Sequence, residues 1–295
     1  MKIGLVFPQT EIGADPRAIA DYAQAADDIG FSHLLAFDHV LGAAPVDRQP
    51  PLWGPYTHEH SFHEPLTLFS FLSGITSRIA FTTGVLVLPQ RQTALVAKQA
   101  AEVALLSSGR FRLGIGVGWN HVEYDALNMD FSSRGLRQED QVALLRELWS
   151  TEIVNYHSEW HRVDRAGIAP RPEVEIPIWF GGLSTVARER AARLGDGFLF
   201  AKVNIAPDQS SASSQVALGR ELRANCRRVG RTEESFGLEG RIDYADGPTS
   251  WAEDLAMLED ERFDYVAVNM MNAGLVTPTD HLAAIELVAS ELGIS

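Results

Sequence analysis

The chain has 295 residues, of which 45% are hydrophobic and 22% charged, and its formal net charge is −14. So acidic a surface repels phosphate backbones, which excludes nucleic acid as an expected partner. No apolar run approaches the ~20 residues of a membrane helix, and the start lacks a signal-peptide pattern. The single cysteine, Cys226, cannot form an internal disulfide. We therefore expect a cytoplasmic protein without a membrane partner, with residues 1–295 in one domain.

Short apolar runs alternate with stretches of helical periodicity along the chain. The runs predict strands at about 2–8, 33–38, 79–88, 112–118, 177–182, 197–202, 236–244 and 265–271. Helices are predicted between Asp15 and Gly30, and at about 64–76, 93–107, 134–149, 184–194, 210–229, 250–260 and 279–292. Regular alternation indicates parallel pairing. Eight such units close a (β/α)8 TIM barrel of the α/β class, although an open doubly wound sheet gives a similar pattern.

An irregular stretch from Thr151 to Pro177 interrupts this rhythm. We interpret it as an insertion between helix 4 and strand 5 that includes a hairpin around residues 156–160. Because the active sites of TIM barrels lie at the carboxyl ends of the strands, the residues that end each strand are the candidates for chemistry.

Strand 4 ends in a series of alternating glycines, Gly114, Gly116 and Gly118. The dinucleotide fingerprint G-x-G-x-x-G does not fit, because the third glycine comes one residue early and Trp119 stands in its place. Glycines inside a strand allow close approach of either packed core or a ligand. We favour the ligand, since the glycines run to the catalytic end.

Strand 5 ends with Gly181 and Gly182, and a helix follows from Ser184. Two glycines let the backbone approach a ligand, and a helix amino terminus presents free N–H groups, so the pattern is typical of an anion site. The alternative is a tight turn with Ser184 as the N-cap.

Asp38 and His39 follow strand 2 and could form a proton-transfer pair, because histidine titrates near neutral pH. The alternative is a backbone cap followed by a loop residue. The loop from His39 to His63 contains His58, His60 and Trp53. No strand end supplies a second cluster of histidine or cysteine, so we expect no metal site, and these side chains more simply shape a pocket.

Taken together, these residues resemble the bacterial luciferase-like monooxygenase superfamily, and most closely its branch that depends on the deazaflavin coenzyme F420. The resemblance runs over nearly the whole chain. It is carried by residues 2–8, Phe37-Asp38-His39, Thr83-Gly84-Val85, residues 109–120 with Glu123, residues 177–182 and residues 194–198.

The resemblance implies the same barrel, with the cofactor across the carboxyl ends of the strands and a non-proline cis peptide at Gly84–Val85 behind its ring. The cofactor contacts that it implies are Asp38, Thr83, Gly84, Val85, Gly118, Trp119 and His121 around the ring, and Gly181, Gly182 and Ser184 at the phosphate.

The expected reaction is hydride transfer between C5 of the deazaflavin and a small organic substrate. We expect His39 to move the accompanying proton and Asp38 to orient it. FMN-dependent monooxygenase or reductase chemistry is one alternative, and a non-catalytic flavin-binding barrel is another. Members that act on sugar phosphates carry a glutamate where Trp119 stands, which argues against such a substrate here. We expect an apolar or aromatic pocket formed by Phe7, Trp53, His60 and His63, and a homodimer, as is common in the family.

Overall fold

The computed structural model describes residues 1–201 and 210–294. Its strands are β1 (Lys2–Val6), β2 (His33–Ala36), β3 (Ala80–Thr83), β4 (Leu86–Val87), β5 (Phe111–Gly116), β6 (Val154–His157), β7 (Arg162–Ala166), β8 (Ile178–Gly181), β9 (Gly197–Leu199), β10 (Gly237–Asp243) and β11 (Tyr265–Asn269). Its α-helices are α1 (Pro16–Ile29), α2 (Pro65–Ser73), α3 (Thr93–Leu106), α4 (His121–Ala126), α5 (Arg134–Ser150), α6 (Thr185–Leu194), α7 (Ser211–Arg228), α8 (Gly247–Asp260) and α9 (Pro278–Leu292).

The parallel strands close into a barrel. β1 pairs with β2 and β11, and the ladder continues through β10, β9, β8 and β5 back to β3, which pairs with β2. β3 and β4 together form one of eight staves, because both pair with β5. The predicted (β/α)8 TIM barrel is therefore confirmed, and the open sheet is wrong.

The third stave differs from the continuous strand predicted at 79–88. It breaks between β3 and β4, where the Gly84–Val85 peptide is cis, as expected. The Gly84 N–H still donates to the Ala36 carbonyl at 2.7 Å, so the bulge stays attached to β2. The last residue predicted for strand 6, Lys202, lies outside the described residues.

The barrel strands alternate between two environments, as the two-residue period of a strand requires. Leu5, Leu34, Phe81, Leu113 and Val266 point outward and are fully buried in one large apolar core beneath the helices. The residues between them point into the barrel.

An ion cluster fills the amino end of the barrel interior. Arg112 pairs with Glu239 and stacks between the rings of Trp179 and Tyr265, 4.1 and 4.2 Å from their centres. His33 Nε2 lies 2.9 Å from the other carboxylate oxygen of Glu239. Burial alone would raise the pKa of Glu239, but Arg112 and His33 hold it below its ordinary value. Buried charges persist only when paired in this way.

The insertion contains the predicted hairpin, in which β6 and β7 pair antiparallel. It docks on the barrel through His161, whose Nδ1 lies 2.5 Å from Asp140 Oδ2 on α5 and whose Nε2 lies 2.6 Å from Thr93 Oγ1 on α3. Tyr156 and Ser158 also donate to the Asp140 carboxylate.

Within residues 1–201 and 210–294, no helix is long and apolar enough to cross a membrane.

Candidate active site

The loop from His39 to His63 lies over the carboxyl ends of the strands and surrounds His39 with aromatic rings. The His39 ring centre is 4.8 Å from that of Phe62, 5.4 Å from Tyr56 and 5.5 Å from Trp119. Trp53 stacks at 5.7 Å on the other side of Trp119 and is 63% exposed. Tyr56 and Phe62 of the loop, with Trp119 after β5, therefore form an aromatic surface around the His39 imidazole.

Glu123 is the carboxylate that contacts His39. Its Oε1 lies 3.4 Å from His39 Nδ1 and also accepts the N–H groups of Val40 and Leu41, at 2.7 and 3.0 Å. Glu123 is buried in the first turn of α4 behind the N-cap Asn120, whose Nδ2 donates to the Leu41 carbonyl. The loops after β2 and β5 are thus joined at His39.

Asp38 does not orient His39, which corrects the expectation from the sequence. Arg91 holds its carboxylate through Nη2 at 2.6 Å and Nε at 3.3 Å, and the Val87 N–H donates to it at 2.9 Å. Burial raises the pKa of Asp38, and Arg91 opposes that shift. Arg91 Nη1 also binds Glu64 Oε1 at 3.0 Å, so one guanidinium joins the residues that flank the loop. Asp38 anchors the bulge, and its cofactor contact stays a prediction.

Val85 projects from the cis bulge into a space that only glycines leave open. A Cβ on Gly116 would collide with Val85, and a Cβ on Gly181 would lie 2.7 Å from Val85 Cγ1. A Cβ on Gly118, whose φ is +65°, would lie 2.7 Å from Val87 Cγ1. Gly116 and Gly118 thus make room for protein side chains, as the packing alternative predicted, and the contact of Gly118 with a cofactor stays a prediction.

Thr83, the residue before the bulge, uses its hydroxyl to donate to the Gly114 carbonyl at 2.6 Å. This bond ties β3 to β5. The glycines and Thr83 together fix the Val85 side chain at the mouth, which fits a wall behind a flat cofactor ring.

The amino terminus of α6 has the features of an anion site. Ser184 is its N-cap, with Oγ accepting the Ala187 N–H at 3.2 Å, as the alternative interpretation of that turn predicted. Gly182 has φ +153° and, with the residues up to Val186, is exposed. The N–H groups of a first helical turn have no intrahelical acceptor. The segment fits a cofactor phosphate, and the contacts of Gly181, Gly182 and Ser184 with it stay predictions.

The predicted substrate-pocket residues separate into two groups. Trp53 lies in the loop as expected, and His60 Nδ1 accepts the Thr57 N–H at 3.1 Å within the same loop. Phe7 is instead fully buried against Tyr22, 5.6 Å between ring centres, so its assignment to the pocket is wrong. His63 packs 6.3 Å from Phe7, and its Nε2 lies 3.1 Å from the Gly13 carbonyl oxygen.

His121, predicted to flank the cofactor, begins α4 and lies 6.4 Å from the Phe131 ring. Among the described residues, no three His, Cys, Asp or Glu side chains are grouped to hold a metal ion. His39 and Glu123 form a histidine–carboxylate pair among the aromatic rings of the mouth.

A parallel α/β barrel with a histidine–carboxylate pair at the carboxyl ends of its strands has the architecture of a barrel enzyme. A family model described as luciferase-like monooxygenase matches residues 1–261. The chain belongs to this family, as its sequence motifs predicted, and is an oxidoreductase.

Three proteins show which members of the family this chain is similar to. An uncharacterized protein of Mycobacterium tuberculosis is 32% identical over 197 residues, 65% of this chain and 68% of that protein. An F420-dependent glucose-6-phosphate dehydrogenase of Amycolatopsis mediterranei is 29% identical over 205 residues, 68% of this chain and 57% of that protein.

The third is a solved structure, the coenzyme F420-dependent tetrahydromethanopterin reductase from Methanopyrus kandleri. It superposes with a TM-score of 0.75 at 14% identity, covering 100% of this chain and 99% of that one. A likeness at this identity concerns the fold. The cofactor in the names of the dehydrogenase and the reductase agrees with the one expected from the sequence.

Proposed function

We propose that the protein is a coenzyme F420-dependent oxidoreductase that transfers hydride to or from a small, mainly apolar or aromatic organic substrate. The observation that carries the proposal is the buried Glu123 carboxylate against Nδ1 of His39, inside a ring of aromatic side chains at the barrel mouth. The family and the F420-dependent relatives support the choice of cofactor.

The residues present fit a deazaflavin. Val85 and its glycine neighbours supply a wall for the ring, and the exposed turn from Gly182 to Ser184 supplies N–H groups for the phosphate. When bound there, the deazaflavin supplies hydride exchange at C5 and reacts poorly with oxygen. The chain supplies binding, orientation and the proton.

His39 is placed to exchange that proton with the substrate. The Glu123 carboxylate lies 3.4 Å from Nδ1, so Nε2 is the nitrogen left to exchange a proton with the substrate. Within the described part of the chain, Nε2 has no hydrogen-bond partner of its own. The rings of Phe62, Tyr56 and Trp119 limit water around it, which strengthens its electrostatic pairing with Glu123.

Trp119 stands where sugar-phosphate dehydrogenases of the family carry a glutamate. Its indole packs between His39 and Trp53, with ring centres at 5.5 and 5.7 Å. An acid is thus replaced by an apolar face, and for this reason we favour an apolar or aromatic substrate over a sugar phosphate.

Titration of the apoprotein with oxidised coenzyme F420 and, separately, with FMN tests the cofactor. We expect quenching of the deazaflavin fluorescence at a stoichiometric endpoint and weak binding of FMN. Preferential binding of FMN would contradict the proposal and move the protein to the flavin monooxygenases or reductases, with oxygen uptake as the next assay.

The role of His39 is tested by His39→Ala in an anaerobic substrate screen that follows deazaflavin absorbance. We expect a turnover rate about 100-fold or more below that of the wild type, since a positioned acid or base contributes about that much, with F420 affinity unchanged. The matched control is His157→Ala, an exposed histidine on β6. Wild-type turnover by His39→Ala would refute the assignment.

A further inference from the structure

The barrel mouth also contains a charged group, Arg241, that the hydride-transfer chemistry does not use. On β10, Leu238 and Ile242 face the helices and are buried in the apolar core. Strand alternation therefore turns Glu239, Arg241 and Asp243 inward. Glu239 belongs to the ion cluster at the amino end, so Arg241 stands one layer nearer the mouth.

The backbone of Arg241 is held in place by a side chain of α7. β9 ends opposite Glu239, so it offers Arg241 no strand partner. The fully buried amide of Gln215 replaces that partner: its Oε1 accepts the Arg241 N–H at 2.8 Å, and its Nε2 donates to the Arg241 carbonyl at 2.7 Å. β11 pairs with Arg241 on the other side. The guanidinium thus projects from a fixed position.

Among the described residues, this guanidinium lacks the carboxylate partners that Arg112 and Arg91 have. Arg112 binds Glu239, and Arg91 binds Asp38 and Glu64. Within residues 1–201 and 210–294, no carboxylate lies at ion-pair distance from Arg241, and its buried Nε has no hydrogen-bond partner. Burial lowers the pKa of Arg241, and Asp243 and Tyr56 oppose that shift. The arginine as a whole is half-buried and stays charged, so the unpaired buried Nε has a free-energy cost that a ligand could remove.

The neighbours of Arg241 place it beside the proposed reaction centre. Its guanidinium carbon lies 5.7 Å from the centre of the Phe37 ring, and Tyr56, which interacts with it electrostatically, packs on His39 at 5.4 Å. Around the closed barrel, β10 is four staves from the one that carries Val85, so the two face each other across the mouth. A ligand between them would touch both.

We propose that Arg241 binds a carboxylate of the substrate, so that the substrate is an organic monoanion with an apolar or aromatic body. A planar guanidinium matches a carboxylate in a bidentate arrangement. One cation balances one negative charge, whereas a dianionic phosphate would meet Asp243 and Glu11, which both act electrostatically on the same Tyr56. The rings of Phe37 and Tyr56 would receive the body. The inference rests on the proposed function for the position of the cofactor.

Paired probes that differ in charge but hardly in shape provide the test. Calorimetry on the F420-loaded protein and on the apoprotein would compare benzoate with benzamide, and phenylacetate with phenylacetamide. The variants are Arg241→Met, Arg241→Lys and, as the matched control, Arg228→Met, which removes an exposed arginine of α7. Coenzyme F420 is titrated into every variant.

We expect the wild type to prefer at least one carboxylate over its amide, and Arg241→Met to lose about 10- to 100-fold in affinity for that carboxylate, as for a lost charge-assisted hydrogen bond. The affinities of Arg241→Met for the amide and for F420 should equal those of the wild type. The carboxylate affinity of Arg241→Lys should lie between those of the wild type and Arg241→Met, and that of Arg228→Met should match the wild type.

Several results would overturn the inference. One is the absence of any Arg241-dependent preference for a carboxylate. Another is a parallel loss of F420 affinity in Arg241→Met, which would assign the guanidinium to the cofactor. Tighter binding of phenyl phosphate than of benzoate would exclude the monoanion. An Arg241-dependent preference in an apoprotein that fails to bind F420 would refute the proposed function and leave the anion site standing.

Discussion

Glu123 and His39 are 84 positions apart in the sequence, yet their Oε1 and Nδ1 atoms lie 3.4 Å apart at the barrel mouth. The same Oε1 accepts two N–H groups of the residues that follow His39. Glu123 therefore fixes both the backbone and the ring of the residue to which we assign proton transfer. It acts through His39 and is a positioning residue.

Replacing Glu123 by glutamine keeps the shape of the side chain and removes the negative charge that faces the His39 ring. We expect the turnover rate to fall about tenfold, because the residue that holds the His39 ring in place is weakened. F420 affinity should stay unchanged. The matched control is Glu159→Gln, at an exposed position of the insertion. A turnover rate equal to that of the wild type would mean that Glu123 does not position His39.

Removing the charge of Asp38 should destabilise the fold rather than alter proton transfer. Asp38→Asn leaves the Arg91 guanidinium, which is 13% exposed, without its closest carboxylate. Breaking a buried pair in this way costs about 3 kcal/mol or more. Thermal or urea denaturation would measure the loss against Asp164→Asn, an exposed control. If the free energy of unfolding were unchanged, the anchoring role would be wrong.

The space around Val85 can be tested by adding a single methyl group. Gly181→Ala places a Cβ 2.7 Å from Val85 Cγ1, and we expect it to destabilise the protein by about 1–3 kcal/mol, as overpacking does. Val85→Ala in the same chain should restore much of that stability. Gly74→Ala is the control, because the nearest atom to its added Cβ lies 3.7 Å away.

A double-mutant cycle reports the coupling between positions 85 and 181 directly. Additive losses for Gly181→Ala and Val85→Ala would show that the two residues do not share a space. Titration of coenzyme F420 into both single variants would then show whether the wall formed by Val85 also governs cofactor affinity.

The insertion hairpin should loosen in acid. Although burial opposes it, hydrogen bonds from Tyr156, His161 and Ser158 hold the pKa of Asp140 below its ordinary value of 3.8. A depressed carboxyl pKa stabilises the fold above the unfolded-state pKa, and this stability is lost as the pH falls through the folded-state value. Asp140→Asn should therefore lower the melting temperature at pH 7, and the difference from the wild type should shrink below about pH 3.8. A difference that is the same at both pH values would contradict this linkage.

The barrel was predictable because its signal is local. Each strand is a short apolar run, each helix has an apolar face, and caps such as Asp15 and Ser184 occupy the positions that their side chains favour. The bulge at Gly84–Val85 came from the family resemblance and is present in the structure. Helix boundaries differ by up to three residues, as at Gly247, where α8 begins earlier than predicted.

The site was only partly predictable, because its contacts join distant segments. The position of His39 directly after β2 was enough to identify it as a candidate. Asp38 was assigned to orient His39 because the two are neighbours in sequence, but the Asp38 carboxylate points to Arg91 instead. Glu123 was visible only as part of a motif. A first-turn carboxylate two residues after the helix start could have drawn attention to it.

For Phe7 and Arg241 the sequence did not show whether the side chain points into the barrel or towards the helices. An aromatic residue just beyond β1 could face the pocket or the helices. Phe7 packs against Tyr22 on the helix side, a contact that only the structure shows. Arg241 lies in a strand whose pattern of exposure the sequence leaves open, since charged residues there alternate with apolar ones.

Arg91 binds Asp38, just before the mouth loop, and Glu64, just after it. Both ends of a 25-residue excursion are therefore tied to one side chain of the scaffold, and Glu64 also caps α2 through the Thr67 N–H. Between these ends, the aromatic residues Trp53, Tyr56 and Phe62 belong to the loop and not to the barrel strands. A new substrate range could therefore evolve, or be engineered, by replacing residues 42–63 while His39 and its contacts with Glu123 are kept.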